Sequence, residues 1–277
     1  MANIDNTLRK SAIAGSWYPG DFSVLKRDIA GYFEAVPELE LKGEIVVLIV
    51  PHAGYVYSGQ VAAYAYKLIY GIKYEAVIII GPSHRVAFRG VSIYSRGGYE
   101  TPLGVVPVDE ILAQEMKNSS EIINDVPAAH LQEHSLEIQL PFLQVTLGNF
   151  PFVPLVMGDQ DENTCRKLAA VIHKAVKRRK ILIVASSDLS HFHNYNSAKK
   201  LDKIILRHLK ENDAAGLMET LAGGIAEACG GGPMAVAMMV ARMLGADKSR
   251  LLKYANSGDV TGDKSSVVGY AAAVCYR

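Results

Sequence analysis

The sequence predicts an α/β fold, a three-layer α/β/α sandwich around a largely parallel or mixed sheet. Residues 45–50, 76–80 and 181–185 form continuous apolar, mostly β-branched runs. Such runs are typical of strands buried on both faces, as in a parallel sheet. Helical patterns separate them, which favours helices on both faces of one sheet. Because the 277 residues contain no internal repeat or flexible linker, we expect a single domain spanning 1–277.

The other elements are predicted from periodicity and from local start and stop signals. Asp109 is a suitable N-cap for the helix that follows it, and Pro141 is expected to kink a helix. A glycine-rich segment ending in Pro233 opens a further helix. Predicted helices span 22–36, 61–70, 109–117, 134–147, 163–177, 198–210, 214–221 and 230–244. Further strands are predicted at 91–94, 150–156, 251–256 and 267–276, and 97–104 is expected to be a turn.

Composition excludes several classes of protein. Hydrophobic residues make up 49% and charged residues 21%, so the chain can bury a sizeable core. The 29 basic and 28 acidic residues give a net charge of +1, which provides no electrostatic case for nucleic acid or an anionic membrane. The first residues carry no long apolar segment, so we expect no signal peptide, and no apolar run approaches the roughly 20 residues of a membrane span. The three cysteines are widely spaced, so we expect a cytoplasmic protein with reduced thiols.

Each of the three apolar runs ends in a loop that carries a histidine. His52 follows the first run, His84 the second, and Asp188 and His191 the third. In open α/β sheets, ligands bind outside the carboxyl ends of the strands. If the strands are parallel neighbours, these side chains lie in one crevice, where they suit a metal ion or acid/base chemistry.

Asp188 and Cys229 each have a functional and a structural interpretation. Asp188 lies three residues before His191 and would orient that imidazole, or it would simply cap a helix. Cys229 precedes three glycines and a helix start, which would lower its thiol pKa. It would otherwise be a small residue in a turn. Cys165 and Cys275 lie in apolar patterns and are expected to be buried and inert.

His134 and Trp17 are weaker candidates. His134 stands at a predicted helix start, where it would either point into the crevice or cap the helix. Trp17, the only tryptophan, lies in an irregular N-terminal loop. There it would form a lid over the crevice or pack against the core.

Six motifs together resemble the Memo (mediator of cell motility) family. They follow one another in order over nearly the whole chain, at residues 15–19, 51–59, 81–84, 133–141, 186–191 and 257–259. The resemblance implies the fold of the class III extradiol ring-cleaving dioxygenases, which are non-haem iron(II) enzymes. Two histidines and one glutamate hold the metal in those enzymes, leaving positions open for substrate and O₂.

The resemblance also implies roles for individual residues. His52 and His84 match the two histidine ligands, and His191 matches the catalytic base of the dioxygenases. Asp188 matches a neighbouring acid of the Memo pocket. Cys229 takes the place of the glutamate ligand, and a thiolate favours Cu(I), zinc or a differently poised iron.

Further expectations concern the pocket and an alternative ligand. Trp17 and Tyr55 match pocket-lining positions for a small-molecule or peptide ligand. Glu227 would replace Cys229 as a ligand only if the turn brought it inward. Microbial relatives suggest a functional link to a radical-SAM protein.

The leading prediction is therefore a redox-active metalloprotein. Iron(II) or copper would be bound by His52, His84 and Cys229, and the reaction would be oxygen-linked. His191, Asp188 and His134 would be the catalytic residues. One alternative is a non-catalytic module that binds a peptide or small ligand in the same crevice. A third hypothesis is a zinc hydrolase that uses a metal-bound water.

Overall fold

The computed structural model describes residues 7–277 and has helices on both faces of a mixed sheet. The strands are β1 Leu8–Arg9, β2 Ile45–Val50, β3 Ala76–Pro82, β4 Val91–Ile93, β5 Gly98–Thr101, β6 Gly104–Pro107, β7 Ile123–Asn124, β8 Phe152–Met157, β9 Ile181–Ser186, β10 His191–His193, β11 Lys248–Asn256 and β12 Val267–Tyr276. The helices are α1 Phe22–Glu34, α2 Tyr55–Lys67, α3 Glu110–Asn118, α4 Ala128–Leu131, α5 His134–Glu137, α6 Leu140–Leu147, α7 Glu162–Val176, α8 Tyr195–Glu211, α9 Ala214–Ala222, α10 Gly231–Met243 and α11 Ser257–Thr261.

The main sheet has nine strands in the order β10-β12-β2-β9-β3-β8-β4-β7, with β11 paired to β12. Strands β2, β9, β3 and β8 are parallel, whereas β12 runs antiparallel to β2 and β4 runs antiparallel to β8. Ile183 of β9 pairs with Val47 on one side and with Ile78 on the other. The three histidine-bearing loops therefore leave the sheet at one edge. The mixed α/β sheet predicted from the sequence is confirmed.

Helices cover both faces of this sheet. The connection from β2 through α2 to β3 crosses the sheet in one direction, and the connection from β8 through α7 to β9 crosses it in the other. Because both crossovers are right-handed by rule, they place α2 and α7 on opposite faces. Helices α1 and α6 pack with α2, and α3 and α10 pack with α7. The result is the three-layer α/β/α sandwich.

Several predicted elements differ in their boundaries. Helix α2 begins at Tyr55, six residues earlier than predicted, because Gly54 is its N-cap despite offering no side-chain acceptor. The predicted helix 134–147 is broken into α5 and α6, and Pro141 lies in the first turn of α6. The segment 97–104 is mostly a β-hairpin rather than a simple turn, since β5 pairs with β6 and with β1 in a small second sheet.

The core lies between the sheet and its helices. Strands β2, β3, β8 and β9 are buried along their whole length. Cys165 and Cys275 are fully buried in this core, as predicted. Among residues 7–277, no helix combines the length and the apolar character that crossing a membrane requires.

Candidate metal centre

Three chain segments bring two imidazoles and a thiol together at the carboxyl edge of the sheet. His52 follows β2, His84 follows β3, and Cys229 precedes the N-terminus of α10. The ligand atoms of these three side chains all lie within 4.8 Å of one another. Nε2 of His52 lies 3.0 Å from Sγ of Cys229. The residues that the sequence and the resemblance single out as metal ligands thus form one cluster.

The hydrogen bonds of Ser186 determine the tautomer of His52. Ser186 donates its hydroxyl proton to the carbonyl oxygen of Ser135 at 2.6 Å and accepts a hydrogen bond from Nε2 of Gln139 at 2.8 Å. Its Oγ therefore acts as an acceptor toward Nδ1 of His52, 3.0 Å away. The proton of His52 then lies on Nδ1, and the lone pair of Nε2 faces Cys229. Burial lowers the pKa of His52 to about 3, which keeps the ring neutral.

Glu133 fixes the tautomer of His84, as Ser186 fixes that of His52. Its Oε1 lies 2.9 Å from Nδ1 of His84, and its Oε2 accepts the backbone amide of His84 at 2.7 Å. Burial favours the protonated form of Glu133, but its interactions with His84 outweigh burial and bring its pKa to about 2. The carboxylate therefore holds the proton of His84 on Nδ1 and leaves Nε2 free. This carboxylate–histidine pair is the usual partner of a metal-bound imidazole.

The environment of Cys229 differs from the prediction. Burial, together with the nearby Asp188 carboxyl, raises the pKa of the Cys229 thiol. The expectation that the helix N-terminus lowers this pKa was wrong, because desolvation of the thiolate is the larger effect. The backbone amide of Asp188 donates to Sγ at 3.3 Å. A bound metal ion would have to displace the thiol proton.

Asp188 lies between β9 and β10 rather than at a helix start, so it is not a helix N-cap. Its Oδ1 accepts the backbone amide of His52 at 2.7 Å. The carboxyl group therefore ties the third histidine-bearing loop to the first. Burial raises the pKa of Asp188 to about 6.

His134 and Trp17 form one wall of the site. The ring of His134 stacks on His84 with centroids 4.5 Å apart, and the ring of Trp17 lies tilted against His134 with centroids 4.2 Å apart. His134 is the first residue of α5, but Glu133 supplies the helix cap. Burial lowers the pKa of His134 to about 3. Its buried Nδ1 has no hydrogen-bond partner among the described residues.

Tyr55 is placed beneath the crevice. Its side chain is buried, and its hydroxyl donates to the carbonyl oxygen of Ile138 at 2.8 Å. Its backbone amide donates to the carbonyl oxygen of Trp17 at 2.8 Å. The structure thus gives Tyr55 contacts that support Trp17, and its role in ligand binding stays a prediction.

His191 is the first residue of β10, in the third of the histidine-bearing loops. Burial is the main cause of the shifted pKa values of His52 and Asp188, and a smaller electrostatic contribution from His191 acts on both. The backbone amide of His191 donates to Oε1 of Glu227 at 2.9 Å. The same oxygen lies 2.7 Å from Nε2 of His193. Glu227 is thus engaged with β10 and does not belong to either potential ligand cluster of the described residues.

Residues 9–18, which we call the N-terminal strap, carry Trp17 to the site. The buried carboxylate of Glu137 holds this segment by accepting from Arg9 at 2.5 Å, Ser11 at 2.5 Å and Tyr18 at 2.7 Å. The guanidinium of Arg9 is itself fully buried. Sequence reasoning missed this anchor.

The supporting residues that the sequence left unassigned lie mainly in one segment. Residues 133–139 contain Glu133, Ser135, Glu137 and Gln139, and each of the four supports a ligand or the strap. The signal that could have found them is the run of polar side chains at fully buried positions of α5 and its flanks.

The fold and the side-chain cluster define an α/β sandwich protein with a candidate His–His–Cys metal centre. The chain belongs to the Memo-like protein family, whose profile matches residues 9–274. A MEMO1 family protein of Methanobrevibacter smithii is 39% identical over 279 residues, covering 96% of this chain and 99% of the relative. One from Thermoplasma volcanium is 38% identical over 272 residues, covering 98% and 99%.

A solved structure supports the fold independently. The uncharacterized protein JW3007 from Escherichia coli K12 superimposes with a TM-score of 0.55 over 83% of this chain and 100% of its own length. Its sequence identity is 15%, so the similarity concerns the fold alone.

Proposed function

We propose that the protein binds one transition-metal ion through His52, His84 and Cys229 and uses it in oxygen-linked redox chemistry on a small substrate. The observation that supports this most is the tautomer of the two histidines. Hydrogen bonds from both Nδ1 atoms leave the Nε2 lone pairs free, and one nitrogen of each ring lies within 4.8 Å of the Cys229 sulfur. This arrangement meets the requirement for a neutral imidazole ligand.

The donor set fits iron or copper, and zinc is also compatible. Imidazole suits iron, copper and zinc, and thiolate is a soft ligand that favours copper, zinc and iron–sulfur chemistry. When bound, such an ion would supply electron transfer or Lewis acidity. Glu133 and Ser186 would hold the ligand rings in place, and Asp188 would fix the loop of His52.

The remaining residues of the crevice would act on the substrate. His191, at the start of β10, would border the site and give or accept a proton. The adjoining rings of His134 and Trp17 would cover one side of the crevice, exclude water there and pack against a flat substrate. We extend this proposal to a small organic molecule as substrate and to a radical-SAM protein as functional partner.

Metal analysis of protein purified without oxygen tests the proposal. We expect about one ion per chain in the native protein and in a His173→Ala control, and a loss of at least ten-fold in a His52→Ala, His84→Ala variant. Stoichiometric iron or copper supports the redox enzyme, and zinc supports the hydrolase. Near-full occupancy in the double variant, or an absence of metal throughout, would contradict the site and favour a metal-free binding module.

A second experiment concerns the replacement of glutamate by cysteine. Simple catechols are expected to be poor substrates with iron present, since Cys229 stands where the related dioxygenases have their glutamate. Ring cleavage appearing in a Cys229→Glu variant, but not in Cys229→Gln, would support a retained oxygenase crevice. Rapid cleavage by the native protein would show that the cysteine is no obstacle.

A further inference from the structure

One carboxylate connects the segment before Cys229 to strand β10. Oε1 of Glu227 accepts the backbone amide of His191 at 2.9 Å and lies 2.7 Å from Nε2 of His193. The pairing of β10 with β12 is irregular between these two histidines, so Phe192 is left outside the ladder as a bulge. A single carboxylate oxygen therefore contacts both the residue before the bulge and the residue after it.

The bulge places Phe192 in a strained conformation. Its φ of 63° lies in the left-handed region, which few residues other than glycine and asparagine adopt. The ring is 77% exposed, so burial of the side chain does not offset the strain. Such a conformation persists only when surrounding contacts hold it, and it is most common at functional sites.

The chain is also held just before His191. The amide of Ser190 donates to Oδ1 of Asp202 at 3.0 Å, and its carbonyl oxygen accepts the amide of Gly269 at 2.9 Å. The backbone of His191 is thus fixed on one side by β12 and α8 and on the other by Glu227.

The bulge changes the direction of the two histidines. In a regular strand, side chains two positions apart point to the same face. Here His193 lines a cavity of about 1250 Å³ beside Glu227, Gly231 and Gly232. The extra residue at Phe192 turns His191 to the opposite face of β10. The two imidazoles therefore lie on opposite faces of β10, with His193 on the side of this cavity.

We infer that Glu227 is a positioning residue that holds the strained bulge at Phe192 and thereby aims His191 into the metal crevice. Because Glu227 lies two residues before Cys229, one short segment fixes both the thiol ligand and the imidazole beside it. The inference rests on the proposed function for the role of His191, but the bulge itself is testable without any assumption about metal.

A double-mutant cycle on stability tests whether Glu227 holds the strain. Phe192→Gly should raise the urea midpoint more, or lower it less, in the native protein than in a Glu227→Ala background. In that background the bulge is free to relax, so glycine relieves less strain. The cost of glycine in the unfolded chain is the same in both backgrounds and cancels. A Glu219→Ala background, which removes an exposed carboxylate of the same cavity, should behave like the native protein. An equal effect of Phe192→Gly in all backgrounds would overturn the inference.

Histidine-selective NMR with cobalt(II) tests whether the bulge aims His191. In the cobalt-loaded native protein, the ring signals assigned through His191→Gln should carry a paramagnetic shift. Glu227→Ala should change that shift. Glu227→Gln should keep it close to the native value, because the amide oxygen of glutamine still accepts the hydrogen bond from the His191 backbone. The signals of His52 and His84 and the cobalt stoichiometry should not change.

The two proposals fail in distinguishable ways. If cobalt does not bind, the metal centre is contradicted. The chemical shifts of the His191 ring in the metal-free protein then test the positioning role of Glu227 with the same variants. If cobalt binds but Glu227→Ala leaves the His191 signals as in the native protein, the positioning role is contradicted and the metal centre stands.

Discussion

At the scale of single residues, the candidate centre depends on which ring nitrogen carries a proton. Ser186 and Glu133 each accept from an Nδ1 atom, so both ligand rings present Nε2. Neither residue is a potential ligand of the cluster that contains Cys229, yet each decides whether a ligand is available.

Replacing Ser186 should therefore weaken metal binding without removing a ligand. In Ser186→Ala, Nδ1 of His52 loses its acceptor, and the ring is free to change tautomer or rotate. We expect the affinity for cobalt(II) to fall about 10- to 100-fold, as is usual when such an outer partner is removed. Competitive titration against a chelator measures it. Ser249→Ala, which removes a hydroxyl bonded to Leu209 far from the site, is the control. An unchanged affinity in Ser186→Ala would contradict the tautomer argument.

A buried histidine outside the site should make stability depend on pH. Nδ1 of His130 accepts from the Tyr99 hydroxyl at 2.7 Å, and Nε2 donates to Ser92 Oγ at 2.9 Å, so the ring is held neutral. Burial, aided by the charge of Arg9, lowers its pKa to about 3. The unfolded chain, with a pKa near 6.5, then binds more protons as the pH falls. The contribution of the neutral His130 ring to the unfolding free energy is therefore complete above pH 6.5 and is lost as the pH falls toward 3.

Urea denaturation at several pH values checks this expectation. His130→Gln should reduce the slope of the unfolding free energy against pH by about 1.4 kcal/mol per pH unit within that window. His173→Gln, on the outer helix α7, should leave the slope unchanged. A slope in His130→Gln equal to that of the native protein would mean that His130 does not stay neutral in the folded state.

At the scale of elements, the N-terminal strap depends on one buried ion pair. Burial opposes the ionisation of Glu137, but Arg9 and the hydrogen bonds of the strap outweigh it and lower its pKa. Glu137→Gln would leave the fully buried guanidinium of Arg9 without its counter-charge. Breaking such a pair costs about 3–5 kcal/mol in unfolding free energy.

The only tryptophan of the chain reports on the same variant. Since Glu137 holds the strap that carries Trp17, we expect Glu137→Gln to shift the Trp17 emission to longer wavelength before global unfolding begins. Glu100→Gln breaks only the exposed pair with Lys10 and should cost less than about 1 kcal/mol. Equal losses in the two variants would contradict the anchoring role of Glu137.

The helices and strands differ in how well the sequence predicts them. The strands that form the centre of the sheet were predicted within a few residues, because continuous β-branched runs have few alternative structures. The start of α2 was missed, since Gly54 gives no side-chain signal for a cap. The β5–β6 hairpin was read as a turn, because its pairing partners include the distant strand β1. Pairing over such sequence distances leaves no local pattern.

At the scale of the whole molecule, the site results from topology. The sequence predicted that His52, His84 and His191 meet, because parallel strands end at one edge. It could not predict that Glu227 turns away toward β10 or that burial raises the pKa of Cys229, because both depend on the packing of the loop before α10. Resemblance supplied Cys229 as a ligand, and the structure brings its sulfur to His52.

Since the ligands come from loops after β2 and β3 and from the start of α10, a bound ion would connect distant parts of the chain. A ligand that binds only the folded state stabilises it by mass action. At a free cobalt(II) concentration 100 times the dissociation constant, the unfolding free energy should rise by about 2.7 kcal/mol. At a fixed cobalt(II) concentration, the gain should be larger at pH 8 than at pH 6, because the Cys229 proton must leave when metal binds and its raised pKa opposes that loss.

Thermal unfolding with and without cobalt(II), at both pH values, measures this gain. The His52→Ala, His84→Ala variant should show no cobalt-dependent shift, whereas His173→Ala should keep the full shift. Cys229→Ala should lose most of the difference between pH 6 and pH 8, since His52 is already neutral at both values. If the pH dependence survives in Cys229→Ala, a group other than the thiol releases the proton, and Cys229 is not the third ligand.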